Sequence, residues 1–233
     1  MAHPYFENFI NFKANVLPAL YNTVYISLIA ILVGTVIGIL FGVIMTYGKK
    51  WYQWPVRVYV DIMRGLPILV TVFIVYYFFN ALFKILFGIQ MNQNESGALA
   101  LSMFAVAQMT ELTRGALQSI PKGQIEAGKA IGLHPITIFF RILLPQAVVQ
   151  MIPPWINSAT EMIKASTLLG MIGVLDLLLV TRQIVAKYNH ALGYYLIIGA
   201  FYFILNTVIE LLGKRLNAKL NITSRSKLTK SKR

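Results

Sequence analysis

Three oppositely charged pairs stand inside stretches that are otherwise apolar: Asp61 with Arg64, Glu111 with Arg114, and Glu161 with Lys164. Each is spaced i, i+3, so on a helix both members share a face and can neutralise one another. An ionisable group near the centre of a bilayer costs at least about 2.5–3.5 kcal/mol, so pairs kept at such depth need a reason. Two readings are open. The pairs are self-neutralising scaffold, or they line a polar passage and meet a zwitterionic substrate.

Other chemistries find little support. The histidines, His3, His134 and His190, fall in expected tails and loops, no H-E-x-x-H is present, and no acids pair on one helix face. An intramembrane hydrolase is therefore a minor alternative. There is no phosphate-cradling Gly-rich loop with an adjacent Lys-Ser/Thr, so the chain is not expected to hydrolyse ATP itself. The absence of cysteine excludes disulfides and thiolate metal sites. A stand-alone ion-coupled carrier would use the charged pairs but leave the stretch "QIEAGKAIGLHPITIFFRILLPQA" (124–147) unexplained.

The elements carrying these residues belong to a polytopic membrane protein. Hydrophobic residues make up 57% and charged residues only 12%, with a mean hydropathy of +0.66, too few charges for a soluble surface. The N-terminus lacks the basic region, apolar run and small-residue site of a signal peptide. Spans of roughly 20 apolar residues are expected at 23–46, at 55–87 (overlong and broken by "RGLP"), at 97–117, at 142–163 and at 194–212, with a shorter, partly inserted helix through "LLGMIGVLDLLLV" (168–180). That is an all-α integral membrane fold with about five transmembrane helices. It divides into an extracytoplasmic N-terminal segment (1–20), a transmembrane domain (21–213) and a basic tail (214–233).

Orientation follows from the basic residues. Lys49, Lys50, Arg57, Arg114, Lys122, Lys129, Arg141 and the tail from 214 fall on one side, against Lys13, Lys84, Arg182 and Lys187 on the other. An excess of Lys and Arg marks the cytoplasm, so the N-terminus is expected outside and the C-terminus inside. The net charge of +13 is then a topology signal. The tail has no aromatic residue for stacking on bases, so its expected partner is anionic membrane lipid and not nucleic acid. The sequon "NIT" at 221–223 lies on the cytoplasmic side and is expected to be unmodified.

The stretch 121–134 then lies in the cytoplasm, with Pro121 suited to a first helical turn and Gly132 to a C-cap. By physics alone it is either a handle for another protein or a helix lying on the headgroups. Glu126-Ala127-Gly128, then Gly132, then "ILLP" ending at Pro145 resembles the EAA loop of ABC importer permeases. "YVDIMRGLPILVTVF" (59–73), "AQMTELTRGALQSIPKGQIEA" (107–127) and "LLPQAVVQMIPPWINSATEMIKASTLL" (143–169) are similar to segments of its polar amino-acid uptake branch, and the match covers about 20–212. Three departures stand out: Gly128 for the third EAA residue, "KASTL" with an inverted Thr-Ser order, and Glu161 where the family commonly has a small or neutral residue.

The resemblance implies a type I ABC importer-like permease fold in the bacterial cytoplasmic (inner) membrane. The implied partners are a second permease subunit, two ATPase subunits holding ATP and Mg, and an extracytoplasmic amino-acid-binding protein. No cofactor is expected on this chain. Gln124, Glu126, Ala127, Gly128, Gly132 and Leu133 would form the coupling helix. At about 1.5 Å per residue, Arg64 lies roughly 15 Å from the inner surface, with Glu111 nearer the inside and Glu161 nearer the outside. The expected substrate residues are Arg64, Gly65, Leu66 and Pro67 at the helix break, Gln108 and Glu111, and Asn157 and Glu161, which share a face at i, i+4. Glu161 favours a basic amino acid over glutamine or an acidic one.

Overall fold

The computed structural model describes residues 13–188 and 190–230; most of the N-terminal segment expected outside the membrane, and the last residues of the tail, lie outside these. Among the described residues the regular structure is helical. We number the helices α1 Lys13–Tyr47, α2 Lys50–Gly65, α3 Ile68–Phe87, α4 Gln93–Gln118, α5 Lys122–Ala130, α6 Pro135–Ile172, α7 Leu177–Tyr188 and α8 Ala191–Lys230.

Among the described residues four segments are long and apolar enough to cross a membrane: α1 from Val16, α3, α6, and α8 as far as Lys219. The third expected crossing, α4, is more polar because protein surrounds it. It packs along α1, α2 and α6, and its 26 residues reach about 39 Å. The α1–α4 contact is close because α1 carries glycine every fourth residue. A Cβ added at Gly34, Gly38 or Gly42 would lie 2.5, 2.3 or 2.4 Å from the Cβ of Ala105, Met109 or Thr113. The partners advance together along both helices, so α1 and α4 run parallel. This is the small-residue packing of membrane helices.

The chain departs from expectation at several places. The second crossing divides in two. Leu66 is extended (φ −93°, ψ 140°) because the ring of Pro67 excludes the helical region for the residue before it. Only α3 is a span, and α2 is a separate amphipathic helix that buries Val56 and Val60. The first helix starts at Lys13, ahead of the expected boundary at 23. The fourth crossing starts at Pro135 instead of 142, passing through a π turn at Phe139–Leu143. That wider turn ends where Pro145 has no N–H to continue a regular ladder. The segment 168–180 is not one short helix: a 3-10 turn closes at Gly173 (φ 88°), and α7 begins at Leu177. The last helix continues through the basic tail to Lys230.

Short polar devices fix the loops. Asn80 donates from Nδ2 to Met91 O and accepts from Met91 N–H, both at 2.9 Å, closing the turn after α3. Asn92 and Glu95 then exchange hydrogen bonds of 2.9 and 2.8 Å in a capping box that starts α4.

Candidate functional site: a polar groove and a coupling helix

Arg64 ends α2 just before the break. Gln108, Glu111 and Leu112 lie on α4, and Pro154, Asn157, Ser158 and Glu161 on α6. Together these eight residues line one groove of about 310 Å³, near the lower limit for small-molecule sites. Five of the expected substrate residues, Arg64, Gln108, Glu111, Asn157 and Glu161, are thus brought together. Gly65, Leu66 and Pro67 are not among the lining residues. They form the break beside it, where Leu66 N–H bonds to Ile62 O and Val70 and Thr71 N–H bond to Pro67 O. Pro67 has no N–H, so Met63 O loses its helical partner there.

The ion pairs differ from the i, i+3 scheme. Of the three sequence pairs only Glu111–Arg114 forms among the described residues. Arg114 Nη2 lies 2.6 Å from Glu111 Oε2, and its Nε reaches both carboxylate oxygens at 3.2 Å. Arg64, from α2, approaches the same carboxylate only to 3.7 Å and is 54% exposed. Two flexible side chains one turn apart need not meet where better partners lie across the helix interface. Glu161 is that case: its Oε2 accepts from Gln108 Nε2 at 2.9 Å, not from Lys164. The Asn157 side chain is exposed in the groove.

The groove therefore has two charged ends. Arg114 largely neutralises Glu111 through a two-pronged contact of the strong kind, which leaves the guanidinium of Arg64 weakly engaged. Glu161 receives a hydrogen bond from a neutral amide and has no ion-pair partner among the described residues. Ser158, Leu112 and Pro154 were missed by the sequence reading, which named Arg114 only as the partner of Glu111. Ser158 carried a signal, since it stands three residues before Glu161 on α6.

The expected coupling segment is α5. Pro121 sits at its N-cap position, one residue earlier than expected. At the other end Gly132 takes φ 78°, with its N–H on Lys129 O at 2.9 Å and Leu133 N–H on Gly128 O at 3.0 Å. This is a Schellman cap. Gly128 is buried, and a Cβ there would meet Ile138 Cγ1 at 2.9 Å, so the missing methyl lets α5 seat on the start of α6. Gln124, Glu126 and Ala127 stay exposed.

A further polar residue, Asp176, lies apart from the groove and is 1% exposed. Its Oδ1 accepts from Leu179 N–H at 2.8 Å, capping α7, while Oδ2 is buried without a partner among the described residues. Burial pushes its carboxyl up to about 6, against the pull of the α7 amides and Arg182.

Residues 34–222 match the family described as the binding-protein-dependent transport system inner membrane component. The glutamine transport system permease of Escherichia coli (strain K12) is 31% identical over 200 residues, 86% of this chain and 90% of the relative. The L-cystine transport system permease of Bacillus subtilis (strain 168) is 31% identical, over 81% of this chain and 80% of the relative. An octopine transport system permease of Rhizobium radiobacter is 28% identical over 79% and 77%. Among solved structures, an amino acid ABC transporter with histidines aligns over 94% of this chain and all of its own, with a TM-score of 0.81 at 22% identity. An inward-facing methionine ABC transporter aligns over 90% and 98%, with a TM-score of 0.76 at 19% identity. This chain shares the type I importer permease fold with these solved structures, and it belongs to the inner-membrane permease family of amino-acid ABC importers, a transport subunit whose ATP is hydrolysed by a separate ATPase.

Proposed function

We propose that this permease passes a basic amino acid through the groove between α2, α4 and α6. One observation carries the reading: the partner of Glu161 is the neutral amide of Gln108, at 2.9 Å, rather than a cation. The carboxylate is then available to a cationic side chain. At the other end, Arg64 touches Glu111 only at 3.7 Å and can exchange that contact for the substrate's α-carboxylate. The exposed amide of Asn157 and the open carbonyls at the break supply neutral partners. A second reading, glutamine, is favoured by the 31% identity to the glutamine permease of Escherichia coli.

The same proposal sets the topology and the partners. The N-terminus lies outside and the C-terminus inside, as the distribution of Lys and Arg supports. The segments 1–20, 21–213 and 214–233 are then the external segment, the permease domain and the cytoplasmic tail. The exposed Gln124, Glu126 and Ala127 of α5 dock into one of two ATPases holding ATP and Mg. A second permease subunit completes the pathway, and an extracytoplasmic binding protein delivers the substrate.

The test is Glu161→Gln in proteoliposomes containing the whole importer. Uptake of arginine should weaken by about 1–3 kcal/mol, the scale of a charged hydrogen bond, while glutamine uptake is spared. Equal loss for both, or none for either, would make Glu161 part of the scaffold.

A further inference from the structure

We infer that Ser158 is a positioning residue for substrate selection: it holds the oxygen end of the Gln108 amide and so keeps the N–H end on Glu161. The inference rests on the reading of Glu161 as the carboxylate that meets the cationic side chain. A glutamine amide has a donor end and an acceptor end of nearly the same shape. Turned one way, Gln108 gives an N–H to Glu161. Turned the other way it sets its own oxygen against the carboxylate and repels it. The carboxylate only accepts and so selects the N–H end, and a donor group on the amide oxygen adds a second hold on that orientation.

Ser158 is that group. Its hydroxyl donates to Gln108 Oε1, and this sends Nε2 to Glu161 Oε2 at 2.9 Å. Ser158 is 5% exposed, so water does not compete readily for the bond. Its behaviour also differs from its neighbours'. Thr110 and Thr113 on α4, and Thr160 and Ser166 on α6, all donate back to a carbonyl of their own helix at 2.7–2.8 Å. That is the usual outcome for a helical hydroxyl. Ser158 instead spends its proton across the helix interface.

The consequence is a three-residue relay from α6 to α4 and back to α6. It holds one oxygen of Glu161 and leaves the other to the groove. Ser158 touches no substrate in this scheme. It sets the direction of a carboxylate, and its loss should appear as weaker recognition of a cation and not as slower turnover.

The experiment is a double-mutant cycle in the reconstituted importer, read as KM and kcat for arginine and for glutamine. Ser158→Ala should raise the arginine KM about tenfold, with kcat and the glutamine KM unchanged. Gln108→Leu should raise the arginine KM similarly, and adding Ser158→Ala to it should change nothing further. Ser158→Cys, which keeps the volume but is a weak donor, should fall between wild type and Ser158→Ala. A normal arginine KM in Ser158→Ala, or an additive double mutant, overturns the inference. If Ser158→Ala does not assemble with the ATPase, a wild-type arginine KM in Ser158→Cys overturns it equally. Glu161→Gln separates the two levels. No arginine-selective effect there defeats the substrate reading, whereas a selective effect there with a silent Ser158→Ala defeats only the role of Ser158.

Discussion

Arg64 Nη1 lies 3.7 Å from Glu111 Oε2, joining the end of α2 to the middle of α4 across the groove. The contact is the weaker of two on the same oxygen, since Arg114 Nη2 approaches it to 2.6 Å. Removing Arg64 therefore leaves Glu111 paired. In Arg64→Gln the permease should fold and assemble, while the KM for arginine and glutamine alike rises about tenfold, because both carry the α-carboxylate. Proteoliposome uptake measures this. A loss confined to one substrate would show that Arg64 reads the side chain instead.

Gly132 needs its glycine for conformation and not for space. Its φ is 78°, and apart from its chain neighbours no atom of the described residues lies within 4 Å of where a Cβ would stand. Forcing an ordinary residue there costs about 1–2 kcal/mol, and Asn less. Gly132→Val should open the Schellman cap, displace Leu133 and uncouple ATP hydrolysis from uptake, with the subunit still assembled. Gly132→Asn should retain coupling. Normal coupled transport by the valine variant would remove α5 from the coupling role.

Gly38 needs its glycine for space. A Cβ there would stand 2.3 Å from Met109 Cβ and 3.0 Å from Val106 O, a backbone atom. Gly38→Ala should thus destabilise by about 1–3 kcal/mol, the usual cost of overpacking, even though alanine is the better helix former. A lowered thermal midpoint in detergent is the readout, and an unchanged or raised midpoint would mean α1 and α4 do not pack this closely.

Asp176 gives stability a pH dependence. Its carboxyl is raised in the folded chain to about 6 from 3.8, so the folded state binds more protons than the unfolded state between those values. Stability then falls as pH rises through that window, by up to about 3 kcal/mol, and levels off above it. Asp176→Asn keeps an acceptor for Leu179 N–H and carries no charge to bury. It should unfold at a higher temperature than wild type at pH 8, and the difference should vanish near pH 4. Equal midpoints at pH 8 would show that water reaches the carboxylate.

The groove was legible in the sequence to the extent that charges inside apolar stretches betray themselves. Arg64, Glu111 and Glu161 stood out because lipid makes them costly. Their partners were not legible. Sequence spacing favours neighbours on one helix, whereas Glu161 is met by Gln108 from another helix, and that depends on how α4 and α6 cross. The same limit hid Ser158, an ordinary residue until its proton is followed. Asp176 was lost for a different reason, since its segment was taken as a continuous helix and an N-cap has meaning only at a break. The "RGLP" break itself was read correctly, but its effect was underestimated: Pro67 ends one helix and starts another instead of kinking one.

The orientation of the bundle is the remaining expectation, and the described helices make it testable without disturbing a cap or a contact. Asn92 is unsuitable for labelling because it caps α4. Gln90, exposed in the preceding loop, and Gly123, exposed on α5 with nothing within 4 Å of its Cβ, are better positions. The loop and α5 flank the two ends of α4, whose 26 residues reach about 39 Å, enough to cross the bilayer. A crossing by α4 puts them on opposite sides. The chain has no cysteine of its own, so a single introduced thiol is unambiguous. In intact cells Gln90→Cys should react with an impermeant maleimide, and Gly123→Cys only after permeabilisation. The reverse pattern would turn the permease over, place α5 outside, and remove it from any ATPase. Labelling of both in intact cells would mean that α4 does not cross at all.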